Sequence, residues 1–317
     1  MNNVLFRWAT GDSDSSVYRT NLAVASLQRF FPEASYCVSY NGADFPKFCR
    51  AIQSYDNIID FNNLILRKQT DKDWAFAFDV IGGAWWKWAP FNLNIKPIEV
   101  FIDTDVFFIR KPQTLVDWLN SPSNMIAGRD FMGNWIAQNV GDFKSRLRGY
   151  DGIVNVGIVG LKDNIWRNLF KKHADQLSLD SERSYHINEQ GTSNLALYDL
   201  ERATDFCITR IPIEIYSWWK PFTYETAETI HFIGTQKDSI EKYYSFFREI
   251  CVCDDLSIYE AGFEFLQEVD EMNIPMNLGW YIDLCKLPMP KNLPDKDFRL
   301  ISAIKQGIPS REEKSVF

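Results

Sequence analysis

Short apolar runs alternate with longer segments of helical periodicity along most of the chain. Six of the runs are typical of buried strands: NVLFRWA, SYCVSY, NIIDF, MIAGRD, GIVNVGIVGLK and ETIHFIG. Three intervening segments carry apolar residues at the spacing of one helical face: VYRTNLAVASLQRFF, NIWRNLFKKHADQL and NEQGTSNLALYDL. Strands that alternate with helices in this way predict an α/β layered fold with a largely parallel sheet.

Two longer segments complete this prediction. Residues 73–93, DWAFAFDVIGGAWWKWAPFNL, are expected to be helical apart from Gly82 and Gly83, and residues 98–108, IEVFIDTDVFF, to form one strand. No linker or repeat is evident before residue 250. Residues 1–250 are therefore predicted to form one domain, and the proline-richer residues 251–317 a helical extension packed on it.

Composition excludes several classes of protein. The net charge of −8 over 317 residues argues against a general nucleic-acid binder, because such proteins hold phosphates through clustered Lys and Arg. The six cysteines and three histidines match no zinc-ligand spacing. Neither a signal peptide nor about 18 consecutive apolar residues is evident. The sequence predicts a cytoplasmic protein with reduced cysteines and no transmembrane segment; peripheral membrane contact stays open.

The apolar run IEVFI ends in a pair of carboxylates, Asp103 and Asp105. Carboxylates beside a buried strand are costly unless a positive charge accompanies them. Asp-x-Asp at a strand end can present oxygen ligands to Mg²⁺ or Mn²⁺, which often share their coordination with substrate phosphates. If the backbone stays extended, strand alternation sends both side chains to the same face, which would let them converge on one ion.

Two other interpretations of this pair stay open at this point. The carboxylates could cap a turn or pair with Arg110 and Lys111. Haloacid-dehalogenase-like phosphatases also carry Asp-x-Asp after an apolar strand, with the first Asp as nucleophile toward phosphate. Here the fifth position of that motif is Phe107 instead of Thr or Val, and no convincing Lys and acidic pair follows.

Three later segments add groups suited to a diphosphate sugar. NVGIVGL contains Asn155 and, two residues later, Gly157, a small residue in a strand where a ligand can approach the backbone. NEQGTSN places Glu189 and Gln190 at the start of a helix, and HFIGTQK combines an imidazole, a glycine and a cation in His231, Gly234 and Lys237. In the last segment, the imidazole can bind a metal, the glycine can admit a phosphate close to the backbone and the lysine can neutralise the charge of a diphosphate.

With these motifs in this order, residues 3–240 resemble the GT-A-type glycosyltransferases, in particular the retaining group of glycogenin and the lipopolysaccharide galactosyltransferases. FIDTDVFF and HFIGTQK carry most of the resemblance. It implies a Rossmann-like nucleotide-diphosphosugar transferase fold with a mixed, mostly parallel sheet. Two segments depart from the family pattern, since Asp238-Ser239 replaces Pro-Trp after the lysine and Glu189 replaces Asp.

The resemblance also implies roles for individual residues. Asp103 would contact the donor ribose and the metal, while Asp105 and His231 would be the other protein ligands of Mn²⁺ or Mg²⁺. The Gly234 backbone and Lys237 would hold the diphosphate.

Further expected roles concern the rest of the donor. Lys87 occupies roughly the place of a basic donor-binding residue, and Thr10 and Tyr18 fall where the family contacts uracil. Asn155 and Gln190 would lie near the donor sugar, and Glu189 or Gln190 would orient it during catalysis.

These expectations predict a metal-dependent hexosyltransferase. It would move a hexose from a nucleotide diphosphate sugar, with UDP as the expected nucleotide, to a hydroxyl group. The acceptor would be a glycan, a lipid-linked sugar or a protein, and the transfer would retain the anomeric configuration. The alternatives are the metal-dependent phosphatase and a catalytically silent module that binds a nucleotide sugar.

Overall fold

The fold is taken from a computed structural model of the 317-residue chain. The structure describes residues 2–55, 57–73, 83–130, 140–177, 186–218, 225–233, 237–242 and 244–252. The predicted helical extension therefore lies outside the described residues from 253 onward, as do residues 74–82 of the predicted helix over 73–93.

A seven-stranded sheet forms the centre of the molecule, in the order β3-β2-β1-β4-β7-β6-β8. Its strands are β1 (Val4–Thr10), β2 (Ser35–Tyr40), β3 (Leu64–Lys68), β4 (Ile98–Ile102), β6 (Met125–Arg129), β7 (Val154–Leu161) and β8 (Ile208–Ile211). Both neighbours of β7 run antiparallel to it, and the other strand pairs are parallel. The prediction of a mixed, mostly parallel sheet is confirmed.

A second, three-stranded sheet lies beside the first. It consists of β5 (Val106–Phe108), β9 (Tyr216–Trp218) and β10 (Thr229–His231), with β10 between the other two. Because β5 follows β4 after only three residues, the chain passes from one sheet to the other at the Asp-x-Asp segment.

Helices cover both faces of the large sheet. They are α1 (Asp14–Gln28), α2 (Phe45–Ser54), α3 (Gly83–Trp86), α4 (Gln113–Asn120), α5 (Ile165–Ala174), α6 (His186–Ala203), α7 (Lys237–Lys242) and α8 (Tyr244–Val252). In β4, Val100 and Ile102 face a core shared with α1, whereas Phe101 faces a second core built with α5 and α6. This alternation is what a strand covered on both faces requires.

Three local predictions were wrong. Residues 57–61 form an irregular loop that begins at Asn57 with a φ of 50°, and the strand follows at Leu64–Lys68. Helix α3 ends at Trp86, so residues 87–93 are not helical. Residues 98–108 form two strands instead of one, because a turn at Thr104 and Asp105 separates them.

Within the part of the chain that the structure describes, no helix is both long and apolar enough to cross a membrane.

Candidate functional site

The turn between β4 and β5 positions the two aspartates. The Asp103 amide donates to the Gly157 carbonyl at 2.8 Å, and the Val106 amide donates back to the Asp103 carbonyl at 3.2 Å. On the other side, the Phe232 amide donates to the Asp105 carbonyl at 3.0 Å. These bonds hold Asp103 against β7 and Asp105 against β10.

Asp103, Asp105 and His231 form a compact cluster. One potential ligand atom from each residue lies within 4.8 Å of the others. The predicted convergence of the two carboxylates is found, but its predicted cause was wrong. The backbone is not extended between them, and the turn brings them together instead.

The chemistry of this cluster fits a divalent cation. The Oδ1 atom of Asp105 is buried without a hydrogen-bond partner among the described residues, and it lies 3.5 Å from His231 Nε2. That separation is too long for a good hydrogen bond. Two carboxylates and an imidazole suit Mn²⁺ or Mg²⁺, which would satisfy the orphaned oxygen.

Lys237 contributes a positive charge to the same cluster. Its Nζ lies 2.6 Å from Asp105 Oδ2, although about two fifths of the side chain is exposed. Burial acts to raise the pKa of Asp105, but Lys237 and His231 outweigh it and hold that pKa well below its usual value. In return, Asp105 raises the pKa of Lys237. The predicted diphosphate-binding lysine thus lies beside the candidate metal ligands.

Lys87 is buried behind Asp103. Its Nζ lies 2.8 Å from Asp103 Oδ1 and donates to the Val156 carbonyl at 2.9 Å. Burial acts to lower the pKa of Lys87, but the carboxylates of Asp103 and Glu189 outweigh it and raise that pKa. Lys87 therefore stays charged and fixes Asp103 at the edge of the cluster.

Glu189 lies on the inner wall of the site, at the N-terminal turn of α6. Its Oε1 accepts a hydrogen bond from Trp88 Nε1 and lies 3.7 Å from Lys87 Nζ. Burial raises the pKa of Glu189 to about 7; Lys87 opposes this shift and Asp103 adds to it. A carboxyl with such a pKa can exchange a proton near neutral pH.

A chain of polar side chains continues from β7 to β6. The Asn155 amide donates to Gln190 Oε1 at 3.4 Å, and Gln190 Nε2 donates to Asp130 Oδ2 at 2.7 Å. Asp130, which directly follows β6, was not predicted as a site residue. Its position after the carboxyl end of a strand, in MIAGRD, was the signal that could have identified it.

These side chains line one cavity of about 710 Å³. Nine residues that the sequence predicted as site residues line it: Thr10, Lys87, Asp103, Asp105, Asn155, Glu189, Gln190, His231 and Lys237. Asp130, Trp86 and Trp218 also line it. Tyr18 is not among the lining residues; it packs edge-on against Tyr244 with ring centroids 5.7 Å apart. Gly234 lies outside the described residues.

Comparison with solved structures identifies the fold. The apo structure of the bifunctional glycosyltransferase WbbM aligns with 84% of this chain at 14% identity and a TM-score of 0.52. The apo structure of mouse xyloside xylosyltransferase 1 aligns with 74% of this chain and 98% of its own at 11% identity and a TM-score of 0.50. No family model and no curated protein sequence matches the chain.

The chain thus has the fold of the GT-A glycosyltransferases, as the resemblance implied. It spans about half of the WbbM chain, 52% of which is covered. At these sequence identities the similarity shows the architecture of the chain.

Proposed function

We propose that this protein is a metal-dependent glycosyltransferase that moves a hexose from a nucleotide diphosphate sugar, with UDP as the nucleotide, to a hydroxyl acceptor. The observation that carries the proposal is the convergence of Asp103, Asp105 and His231 at the edge of a polar cavity. On a GT-A fold, a divalent-cation site in such a cavity fits a donor whose diphosphate needs charge neutralisation.

Asp103, Asp105 and His231 would hold Mn²⁺ or Mg²⁺. The bound cation would stabilise the negative charge that develops on the departing diphosphate. Lys237, whose ammonium already lies in this cluster, would bind the same diphosphate. The Gly234 backbone is proposed as a further contact there. Thr10 lines the same cavity, and Thr10 and Tyr18 are proposed to contact the nucleobase.

Asn155, Glu189 and Gln190 would bind the hydroxyl groups of the transferred sugar. Their carboxyl and amide groups line the same cavity as the candidate metal ligands and can both donate and accept hydrogen bonds. Glu189 and Gln190 would orient the sugar as its bond to the diphosphate breaks. Such preorganised polar groups are worth more inside a cavity than in water.

We propose that transfer retains the anomeric configuration. The acceptor oxygen would attack the anomeric carbon on the face that the diphosphate leaves, and the bond from that carbon to the phosphate oxygen would break. The hydroxyl proton would pass to the departing phosphate oxygen, so no enzyme nucleophile is required. A glycan, a lipid-linked sugar or a protein would supply the hydroxyl, and a cytoplasmic location with peripheral membrane contact is consistent with this proposal.

The test is UDP release from a panel of UDP-sugars in the presence of Mn²⁺, with and without EDTA. We expect metal-dependent UDP release with at least one donor, and Asp105→Asn should lower it by at least about 100-fold because it removes a ligand charge. Asp117→Asn, an exposed change on α4, is the matched control and should leave the rate unchanged.

Two results would overturn the proposal. UDP binding without turnover of any donor would instead indicate a silent nucleotide-sugar-binding module. Phosphate release from sugar phosphates that is abolished by Asp103→Asn would indicate a phosphatase.

A further inference from the structure

Tyr216 is a fully buried residue of β9 whose ring lies against two strands of the large sheet. A Cβ atom at Gly128 or at Gly157 would lie 2.2 Å from an atom of this side chain. Any other residue at either position would therefore displace the tyrosine. Strands β6 and β7 thus carry glycine where the Tyr216 ring needs the space.

The hydroxyl of Tyr216 joins the metal cluster to the polar chain of the cavity. It lies 2.8 Å from Asn155 Oδ1 and 2.7 Å from His231 Nδ1. The Gly157 amide also donates to Asn155 Oδ1, at 2.9 Å. Because a backbone N–H needs an acceptor, this last bond identifies the Asn155 atom as the amide oxygen.

This geometry places one proton of His231 on Nδ1. A tyrosine hydroxyl has one hydrogen, and the bond to the Asn155 oxygen uses it. The short contact to His231 then requires the imidazole to donate from Nδ1. A neutral imidazole protonated on Nδ1 has a bare lone pair on Nε2, the nitrogen that faces Asp105 Oδ1 at 3.5 Å.

We propose that Tyr216 is a positioning residue that holds His231 in the tautomer able to bind the metal through Nε2. The same hydroxyl orients the Asn155 amide, so one buried group aligns the metal side and the sugar side of the cavity. This inference rests on the proposed metal site. Metal-bound histidines commonly donate the N–H of their second ring nitrogen to a hydrogen-bond acceptor, which fixes the ring and the tautomer.

The first test is ¹⁵N NMR of the histidine side chains in the full-length, metal-free protein. The chain has three histidines, so a His231→Gln variant assigns the signal of His231. At a pH at which the His231 imidazole is neutral, we expect the Nδ1–H tautomer in the wild-type protein. In Tyr216→Phe, which lacks the acceptor for that proton, we expect a shift toward the Nε2–H tautomer, with Asp105 Oδ1 as the new acceptor.

The second test is the affinity for Mn²⁺ without nucleotide, measured by EPR of the free ion. Tyr216→Phe should weaken binding by about 10- to 100-fold, the usual effect of removing such a partner. Tyr36→Phe is the matched control, since Tyr36 is equally buried and its hydroxyl donates to the Phe31 carbonyl in another part of the sheet. Its Mn²⁺ affinity should equal that of the wild-type protein.

An Nε2–H tautomer in the wild-type protein would overturn the inference, and this measurement needs no variant to fold. Equal Mn²⁺ affinities for Tyr216→Phe and Tyr36→Phe would overturn it as well. Absence of UDP release from a wild-type protein that binds Mn²⁺ and shows the expected tautomer would overturn the transferase and leave the role of Tyr216 intact.

Discussion

The ammonium of Lys237 lies 2.6 Å from Oδ2 of Asp105, the most deeply buried carboxylate of the candidate metal site. A lysine and a metal ion at this position would compete for the same negative charge. A diphosphate that arrives with the metal would offer Lys237 a new partner, since ammonium groups bind phosphate oxygens well. Lys237 should therefore oppose the binding of the metal alone and favour the binding of the diphosphate.

Replacing Lys237 with Met should separate these effects. Without nucleotide, Mn²⁺ should bind about three- to tenfold more tightly, because Asp105 no longer has a competing cation. With Mn²⁺ saturating, UDP should bind more weakly, because one phosphate contact is lost. Titration calorimetry with Mn²⁺ alone and then with UDP measures both changes.

Two control variants accompany this experiment. Lys237→Arg keeps the positive charge and should leave the metal affinity near that of the wild-type protein. Lys172→Met removes an exposed lysine of α5 and should change neither ligand's affinity. Weaker Mn²⁺ binding by Lys237→Met would show that Lys237 does not compete with the metal.

The buried carboxyl of Glu189 should make stability depend on pH. Burial raises its pKa to about 7 from a usual value of 4.5. The folded state thus favours the neutral form, whose contribution to stability is complete below pH 4.5 and is lost as the pH rises through about 7. A shift of this size corresponds to at most about 3 kcal/mol.

Glu189→Gln should remove this dependence, because the amide does not titrate and can still accept the hydrogen bond from Trp88. Urea unfolding of the metal-free protein at pH 5 and pH 8 measures the effect. The stability of Glu189→Gln relative to the wild-type protein should increase between these pH values. Glu241→Gln changes an exposed side chain and should show the same pH dependence of the free energy of unfolding as the wild-type protein. The same pH dependence for Glu189→Gln would contradict the prediction.

Asp130 should matter more for the sugar than for the nucleotide. It accepts from Gln190 at the end of the polar chain that starts at Asn155. Asp130→Asn removes the charge from this wall of the cavity and offers an N–H where Gln190 already donates. We expect the affinity for a UDP-sugar to fall by about tenfold, equivalent to about 1.4 kcal/mol, while that for UDP stays unchanged. An equal loss of affinity for the UDP-sugar and for UDP, measured by calorimetry, would contradict this prediction.

The hydrophobic periodicity of the sequence predicted individual strands and helices of the fold. The apolar run of β4 and the helical spacing of α1 each determine one element, because burial selects their periodicity. The prediction of a strand at 57–61 was wrong because it rested on the apolar pattern alone. NIIDF is apolar enough for a strand, but Asn57 adopts a left-handed conformation there and the exposed edge strand β3 has a weaker pattern.

The candidate site could be predicted only in part, because its geometry comes from distant segments. Asp103, Asp105 and His231 were identifiable from their motifs. The turn that joins the two carboxylates depends on bonds to Gly157 and Phe232, far away in the sequence. Tyr216 was not identified, since a tyrosine in a short strand is typical of a core and its partners come from two other strands.

A buried cluster of three charges supports the segment that follows Lys87. Glu99 Oε2 accepts from Arg7 at 2.6 Å and from Arg167 at 3.0 Å, while its Oε1 accepts from the Leu93 amide at 2.8 Å. Arg7 also donates to the Pro90 carbonyl at 2.7 Å. Burial lowers the pKa of Arg7, and Glu99 opposes this shift.

Glu99→Gln should therefore destabilise the protein strongly. It leaves two buried guanidinium groups without their counter-charge, and breaking a buried pair in this way costs about 3–5 kcal/mol. Urea unfolding at pH 7 measures the loss. Glu241→Gln breaks the exposed pair with Arg19 and should cost less than about 1 kcal/mol. Similar losses for the two variants would show that the buried cluster contributes no more to stability than a surface ion pair.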